Sequence, residues 1–207
     1  TKLGTTQKFF NCKQSGANYQ YLSFNGSDGI SYYNHYSSAS HGELVTSKLF
    51  LDRTAWYHIV FVYDSGNATS ADRTKLYVNG VRETAFSSES QPAQNQNGII
   101  NSANVHDIGS NQSAQYFDGC MSHVNFCDGQ AYAASDFGET DSTSGIWKIK
   151  TSPSVTYGTN GFFLKMEDKT NLDLDSSGNS HTFATTGNLI STKDNPSNNL
   201  CTNNWLM

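Results

Sequence analysis

The sequence predicts an all-β domain, either a sandwich or a barrel, and three observations support this prediction. Short β-prone runs recur between turns that are rich in Gly, Asn, Asp and Ser. Aromatic residues make up 13% of the 207-residue chain, and this content of apolar surface argues against a disordered chain. Helical periodicity is nearly absent, apart from one short turn expected at residues 131–137. About ten strands without a long helix are typical of a β-sandwich or barrel.

The first strands are predicted from two β-prone runs on either side of a polar turn. Residues 19–24 and 30–36 are rich in Tyr, Phe and Ile, and they flank a Gly-rich segment at residues 25–29. This arrangement is typical of a β-hairpin. Two shorter β-prone runs follow, at residues 44–46 and 49–50.

The middle of the chain predicts a central strand followed by a tight hairpin. Residues 56–63 are apolar on both faces, as expected of a strand that is covered on both sides. Residues 75–82 contain Asn79-Gly80, a pair that adopts the positive φ values of a type I′ turn at little cost. Further strands are expected at residues 105–108, 116–126, 161–166 and 182–184. The predicted core comprises Trp56, Ile59, Phe61, Leu76, Val78, Val124 and Phe126.

Two sets of motifs resemble a known family. The first set follows the order seen in concanavalin A-like, laminin G-like jelly rolls: WYHIV at residues 56–60, KLYVNG at 75–80, IG at 108–109 and FDG at 117–119. The second set resembles virion structural proteins of tailed phages: FCDGQA at 126–131, DFGE at 136–139, YGTNGF at 157–162 and DSSGN at 175–179. The resemblance covers residues 2–200.

The resemblance implies a two-sheet antiparallel jelly-roll sandwich. We expect residues 1–207 to form a single domain within a longer polypeptide. Residues 1–138 are expected to form the main sandwich, residues 139–157 a surface connection, and residues 158–199 additional docked strands. This fold alone does not fix a function, because it supports lectins, glucanases, adhesion modules and inert structural domains.

Charge and hydropathy argue against two classes of partner. The formal net charge is −5, whereas nucleic-acid binding depends on Lys and Arg that neutralise phosphates. No apolar run approaches the ~20 residues of a membrane-spanning helix. We therefore expect neither nucleic acid nor a membrane as a partner.

An enzymatic role is not expected. Glucanases of this fold need two or three carboxylates that alternate along one strand into a cleft. Only Glu139-Thr140-Asp141 begins such a pattern, and residues 142–144 supply no further acid. His58 is interpreted as a structural histidine, and the four cysteines (Cys12, Cys120, Cys127 and Cys201) as reduced thiols.

The resemblance leads to two functional hypotheses. The first is a non-enzymatic structural component on the surface of a phage virion, such as a capsid decoration, tail or fibre module. Its partners would be other virion proteins or copies of itself. The alternative is a lectin-like module that binds glycans of the host cell surface, and a polysaccharide hydrolase is a third, less favoured class.

Two candidate sites follow from the residue pattern. Alternation places Tyr32, Asn34 and Tyr36 on one face of a strand, where aromatic and amide groups suit a sugar. The opposite face of that strand would then belong to the core. Asp168, Asp173 and Asp175 lie close together in sequence and are candidate calcium ligands, since calcium prefers carboxylate oxygens. The alternative for these aspartates is a role in turns.

Overall fold

A computed structural model describes residues 2–37, 39–112, 114–187, 189–193 and 195–196, and it is nearly all-β. The strands in these residues are β1 (Gln7–Ser15), β2 (Asn18–Phe24), β3 (Gly29–Tyr36), β4 (Ala39–Leu49), β5 (Ile59–Tyr63), β6 (Thr74–Val78), β7 (Val81–Arg82), β8 (Phe86–Ser90), β9 (His106–Ile108), β10 (Val124–Phe126), β11 (Gly138–Thr140), β12 (Trp147–Ile149) and β13 (Phe162–Leu164). A 3-10 turn at Ser70–Asp72 and one short helix, α1 (Ala134–Phe137), complete the assigned elements. None of the described helices is long and apolar enough to cross a membrane.

The described chain divides into two compact units. The first contains residues 2–55 and Ile59–Gly119, and the second contains Trp56–His58 and residues 120–196. The strand predicted at residues 56–63 begins only at Ile59, because residues 56–58 are not assigned to a strand. Each unit is described separately below.

The first unit is built from two antiparallel sheets. One sheet has six strands in the order β8-β4-β3-β2-β1-β9, and the other has three in the order β5-β6-β7. The two sheets meet through Tyr32 of β3, whose ring centroid lies 4.3 Å from that of Phe61 on β5. This arrangement confirms the predicted all-β, two-sheet antiparallel fold.

Both predicted hairpin turns are confirmed. Between β2 and β3, the carboxamide oxygen of Asn25 accepts backbone N–H bonds from Ser27 at 2.8 Å and Gly29 at 3.0 Å. This side chain thereby satisfies the turn's own donors. Between β6 and β7, Asn79 and Gly80 have φ values of 50° and 80°, as a type I′ turn requires.

Strand β1 contains a bulge that controls which side chains face outward. The pairing of β1 with β2 is regular at Lys8, which opposes Ser23, and shifts between Lys8 and Phe10. One extra residue, Phe9, is thus inserted between them. Because of this insertion, Lys8 and Asn11 lie on the same face although they are three residues apart.

The core agrees only in part with the predicted residues. Leu76 and Val78 are buried as expected, whereas Trp56, Ile59, Phe61, Val124 and Phe126 are half-buried. The predicted strand at 116–126 is wrong over residues 116–123, because only Val124–Phe126 is a strand and His123 has a φ of 54°. Strands β1, β8, β11 and β12 were not predicted.

The second unit contains two small antiparallel ladders. Val124–Phe126 pairs with Phe162–Leu164, and Gly138–Thr140 pairs with Trp147–Ile149. All three residues of β13 are buried. Apart from Gly138, the second ladder lies within residues 139–157, the segment predicted as a surface connection. No strand is assigned at residues 182–184, so the strand predicted there is wrong: Phe183 instead packs edge-on against the ring of Phe162, at 5.0 Å between centroids.

Cys12, Cys120 and Cys127 are free thiols. Cys201 lies outside the described residues, as does the end of the segment for which we predict docked strands. The prediction that the described part of residues 158–199 docks as additional strands of one domain stays a prediction.

Candidate binding face of the six-stranded sheet

The predicted sugar platform on β3 faces the wrong way. Tyr32 and Asn34 are each only 1% exposed, whereas Tyr36 is 41% exposed. The Tyr32 hydroxyl accepts a hydrogen bond from Gln20 Nε2 at 2.8 Å, and Asn34 Nδ2 donates to the Tyr63 hydroxyl at 3.4 Å. These contacts fix Tyr32 and Asn34 inside the sandwich, so the assignment of this face as the outward one is wrong.

The outward face carries four polar aromatic side chains, which we call the aromatic ladder: Tyr19, Tyr21, Tyr33 and His35. The ring of Tyr19 stacks on His35 at 5.0 Å and on Tyr21 at 5.6 Å, and Tyr21 is tilted against Tyr33 at 5.3 Å. Because three of the rings stack on one another, the ladder exposes ring edges and hydroxyl groups more than broad ring faces. Alternation in both β2 and β3 signals the ladder, but it does not show which face is outward.

A cleft of about 200 Å³ lies at one end of the aromatic ladder. Two strands and two neighbouring segments contribute its lining, which consists of Lys8, Asn11, Lys13, Gly16, Tyr19, Tyr21, Asn111 and Gln115. Most of these side chains are polar, and two are lysines. The cleft therefore suits a ligand that is rich in hydrogen-bonding groups.

Lys8 is a buried lysine at the wall of this cleft. It is 2% exposed, and its Nζ lies 2.7 Å from the ring centroid of Tyr21. Burial lowers the pKa of Lys8 to about 7, because desolvation disfavours the charged ammonium. Burial also raises the pKa of Tyr21, and the nearby Tyr33, Tyr19 and Glu43 raise it further.

Asn11 is the second buried polar group of the cleft. Its Nδ2 donates to Asp107 Oδ2 at 3.3 Å and to Asn111 Oδ1 at 3.4 Å. The carboxylate of Asp107 only accepts, so the orientation of the Asn11 amide is fixed. Within the described part of the chain, Asn11 Oδ1 is buried and has no hydrogen-bond partner.

Two of the three predicted calcium ligands, Asp168 and Asp175, accept hydrogen bonds from backbone N–H groups. Asp168 Oδ1 accepts from the backbone N–H and the hydroxyl of Thr170, at 2.8 and 2.7 Å. Asp175 accepts from the backbone N–H groups of Phe163 and His181, each at 3.0 Å. Among the described residues, Asp168, Asp173 and Asp175 do not form a group placed to hold a metal ion. The structure thus gives the calcium hypothesis no support.

The motifs near the end of the described chain form one hydrogen-bonded cluster. The backbone N–H of Asp128 donates to Tyr157 O at 2.8 Å, and Asn179 Nδ2 donates to the carbonyls of Gly158 and Gly161 at 2.7 and 2.8 Å. Gly158 has a φ of 71°, and a side chain there would collide with the Asp128 carbonyl. These motif residues stabilise the backbone of the second unit.

His58 also has a structural role, as predicted. Trp147 Nε1 donates to His58 Nδ1 at 2.9 Å, and the two rings stack at 5.9 Å. Burial lowers the pKa of His58 to about 4, so the ring is neutral at pH 7. In the partial acidic pattern at Glu139-Thr140-Asp141, Asp141 forms an ion pair with Lys148 at 2.5 Å.

A family model described as the concanavalin A-like lectin/glucanases superfamily matches residues 1–135. That range contains the whole six-stranded sheet and the cleft. Neither the curated proteins nor the solved structures gave a match to the chain.

Proposed function

The chain belongs to the concanavalin A-like lectin/glucanase superfamily, and from that membership we propose that it is a non-enzymatic, lectin-like module that binds glycans. The observation that carries the proposal is the polar cleft beside the aromatic ladder. Its amides, hydroxyls and ammonium groups match the hydrogen-bonding pattern of sugar hydroxyls. A glycan of the host cell surface would be the ligand.

The positions of the carboxylates support binding over hydrolysis. Glu43, Tyr33, Tyr21, Asn11 and Asp107 occupy one row across β4, β3, β2, β1 and β9. Glu43 and Asp107 are thus four strand spacings apart, or ~19 Å at ~4.8 Å per spacing. The paired carboxylates of glycosidases are only about 5–9.5 Å apart. Release of reducing ends from a bound polysaccharide would contradict the non-enzymatic assignment.

A glycan array followed by titration calorimetry tests the proposed function. The informative variant is Tyr19→Phe, which keeps the stacked ring of this cleft-lining residue and removes only its hydroxyl. We expect affinity for the best array ligand to fall about 2–10-fold, the usual contribution of one neutral hydrogen bond. Tyr77→Phe, on the three-stranded sheet, is the matched control. If no glycan binds the unmodified chain, the proposed function is wrong.

A structural role in a phage virion is the second candidate function. Support comes from the four motifs between residues 126 and 179 that resemble virion structural proteins of tailed phages. A low content of charged residues, 15%, also suits packing against other virion proteins or further copies of this chain. In this proposal the module lies on the particle surface, as a capsid decoration, tail or fibre component.

Copy number and position in purified particles test this second candidate. Mass spectrometry would count the copies, and immunogold electron microscopy would locate them. Hundreds of copies on the capsid lattice would indicate decoration and cohesion, whereas a few at the tail tip would indicate adhesion to host glycans. Absence from the particles would contradict a virion role.

A further inference from the structure

The cleft beside the aromatic ladder contains a buried lysine that lacks a counter-ion. Lys8 is 2% exposed, and none of the ion pairs between described residues includes it. Its ammonium contacts the ring of Tyr21 instead. An unpaired buried charge is costly, so such a group is ordinarily paired or neutralised. A ligand that brings an anionic group into the cleft would supply the missing partner.

The second observation is the orphaned acceptor of Asn11 in the same cleft. Asn11 is 1% exposed, and its Oδ1 has no hydrogen-bond partner among the described residues. Asp107 and Asn111 accept from Nδ2 and hold the amide in this orientation. The oxygen therefore needs a donor, such as a hydroxyl group, from outside the described chain.

These two groups together define the ligand that would satisfy both. Lys8 donates and needs an anionic acceptor, whereas Asn11 Oδ1 accepts and needs a hydroxyl donor. We propose that the cleft binds an acidic saccharide, with the carboxylate of a uronic acid residue at Lys8 and a ring hydroxyl at Asn11. Lys13, which lines the same cleft, adds a second positive charge. This inference rests on the proposed glycan-binding function and specifies its ligand class.

The charged and titratable groups around the cleft define its pH dependence. On the strands packed against Lys8 these groups are Lys13, Tyr19, Tyr21, Tyr33, His35, Glu43 and Asp107. Asp107 accepts hydrogen bonds from Asn11 Nδ2 at 3.3 Å and from the backbone N–H of Gln112 at 3.1 Å. Glu43 opposes Tyr33 on the far side of the ladder. A carboxylate ligand binds the protonated form of Lys8, so its affinity should fall as the pH rises above about 7.

Titration calorimetry on the full chain tests the inference with three probes. They are an oligogalacturonate, the same oligosaccharide with its carboxylates converted to methyl esters, and a sulfated oligosaccharide of the same length. The variant is Lys8→Met, which keeps the apolar stem and removes the ammonium. Lys48→Met is the matched control, because Lys48 lies on β4 of the same sheet with a side chain that is 57% exposed.

We expect the oligogalacturonate to bind at least 10-fold more tightly than its methyl ester at pH 6, and that preference to shrink by pH 9. Lys8→Met should abolish the preference and raise the melting temperature, whereas Lys48→Met should leave the preference unchanged. A rise in melting temperature together with lost binding identifies a ligand site. Replacing a lysine with a purely structural role would instead lower the melting temperature of the protein.

Three results would overturn the inference. Equal affinity for the acid and the ester, unchanged by Lys8→Met, would exclude an acidic ligand and leave glycan binding itself intact. Tighter binding of the sulfated probe than of the oligogalacturonate would show that the cleft prefers a sulfate group to a carboxylate. If no glycan binds at any pH, the proposed function fails together with the inference.

Discussion

At the scale of single residues, buried polar groups determine what the first unit can bind. Lys8 and Asn11 are both buried. Lys8 forms no ion pair with a described residue, and Asn11 Oδ1 has no hydrogen-bond partner among the described residues. Groups of this kind cost stability in the free protein. Both residues line the same cleft, where a bound ligand can satisfy them.

Replacing Lys8 should stabilise the free protein. We expect Lys8→Met to raise the free energy of unfolding by about 1–3 kcal/mol, the usual cost of an unpaired buried polar group. Burial lowers the folded-state pKa of Lys8 from 10.5 to about 7, so the unfolded state binds more protons between these values. Wild-type stability should therefore rise relative to Lys8→Met between pH 7 and 10.5. Chemical denaturation of both proteins measures this change. If Lys8 were not buried, the difference between their free energies of unfolding would stay constant across this pH range.

His58 gives a pH dependence in the acidic range. Its folded-state pKa is lowered from 6.5 to about 4, so only the unfolded state gains a proton between these values. The stability from the neutral ring is complete above pH 6.5 and is lost as the pH falls to about 4. His58→Asn should remove this part of the profile, since the Asn side-chain oxygen takes the place of His58 Nδ1 as the acceptor for Trp147 but does not titrate. Parallel pH–stability profiles of wild type and variant would contradict this assignment.

At the scale of elements, the pairing of β10 with β13 depends on a close approach between the backbone at Gly161 and the carbonyl groups of Phe126 and Tyr157. Gly161 immediately precedes β13, and a Cβ at this position would lie 2.6 Å from the Phe126 carbonyl oxygen and closer still to that of Tyr157. Backbone oxygens cannot move aside as a flexible side chain can. Only glycine fits here, which explains its place in the YGTNGF motif.

Gly161→Ala should accordingly destabilise the chain by about 1–3 kcal/mol, as expected of overpacking. Gly16→Ala is the matched control, because no atom lies within 4 Å of the added Cβ and its φ is not in the left-handed region. Urea denaturation, monitored by tryptophan fluorescence, would measure both variants. Equal midpoints for the two variants would contradict the packing argument.

The elements also show where sequence reasoning reached its limit. Hairpin turns at residues 25–29 and 79–80 could be predicted, because their chemistry is local. Strand β1 could not, because its sequence has two phenylalanines in succession, Phe9 and Phe10, and the bulge at Phe9 interrupts its alternation. The outward face of β3 could not be chosen either, since Tyr32 and Tyr33 put an aromatic ring on each side.

At the scale of the whole molecule, the fold class was predictable and the binding cleft was not. Frequent β-prone runs and the scarcity of helical periodicity determine an antiparallel sandwich. The cleft, by contrast, combines Lys8 with Tyr21 across a strand pair and with Asn111 and Gln115 from a segment about a hundred residues away. Such a combination depends on strand register and loop placement, which no short motif encodes.

The described residues after 157 are expected to be necessary for a soluble chain. Deleting residues 158–207 removes β13, whose three residues are all buried, and leaves Val124–Phe126 without its partner strand. An unpaired strand edge and newly exposed apolar surface both favour aggregation. We expect the truncated chain to sediment with the insoluble fraction. A truncated chain that is soluble, monomeric and as heat-resistant as the full chain would contradict this prediction.

The aromatic ladder has a spectroscopic consequence. Its chromophores are phenols and an imidazole, whereas Trp56 and Trp147, the tryptophans among the described residues, belong to the second unit. Phenol rings with centroids 5.3 and 5.6 Å apart couple their electronic transitions, so the ladder should have its own near-ultraviolet circular dichroism band. Ligand binding at the cleft would then be visible in that tyrosine band. The face thereby carries an intrinsic optical reporter that needs no attached label.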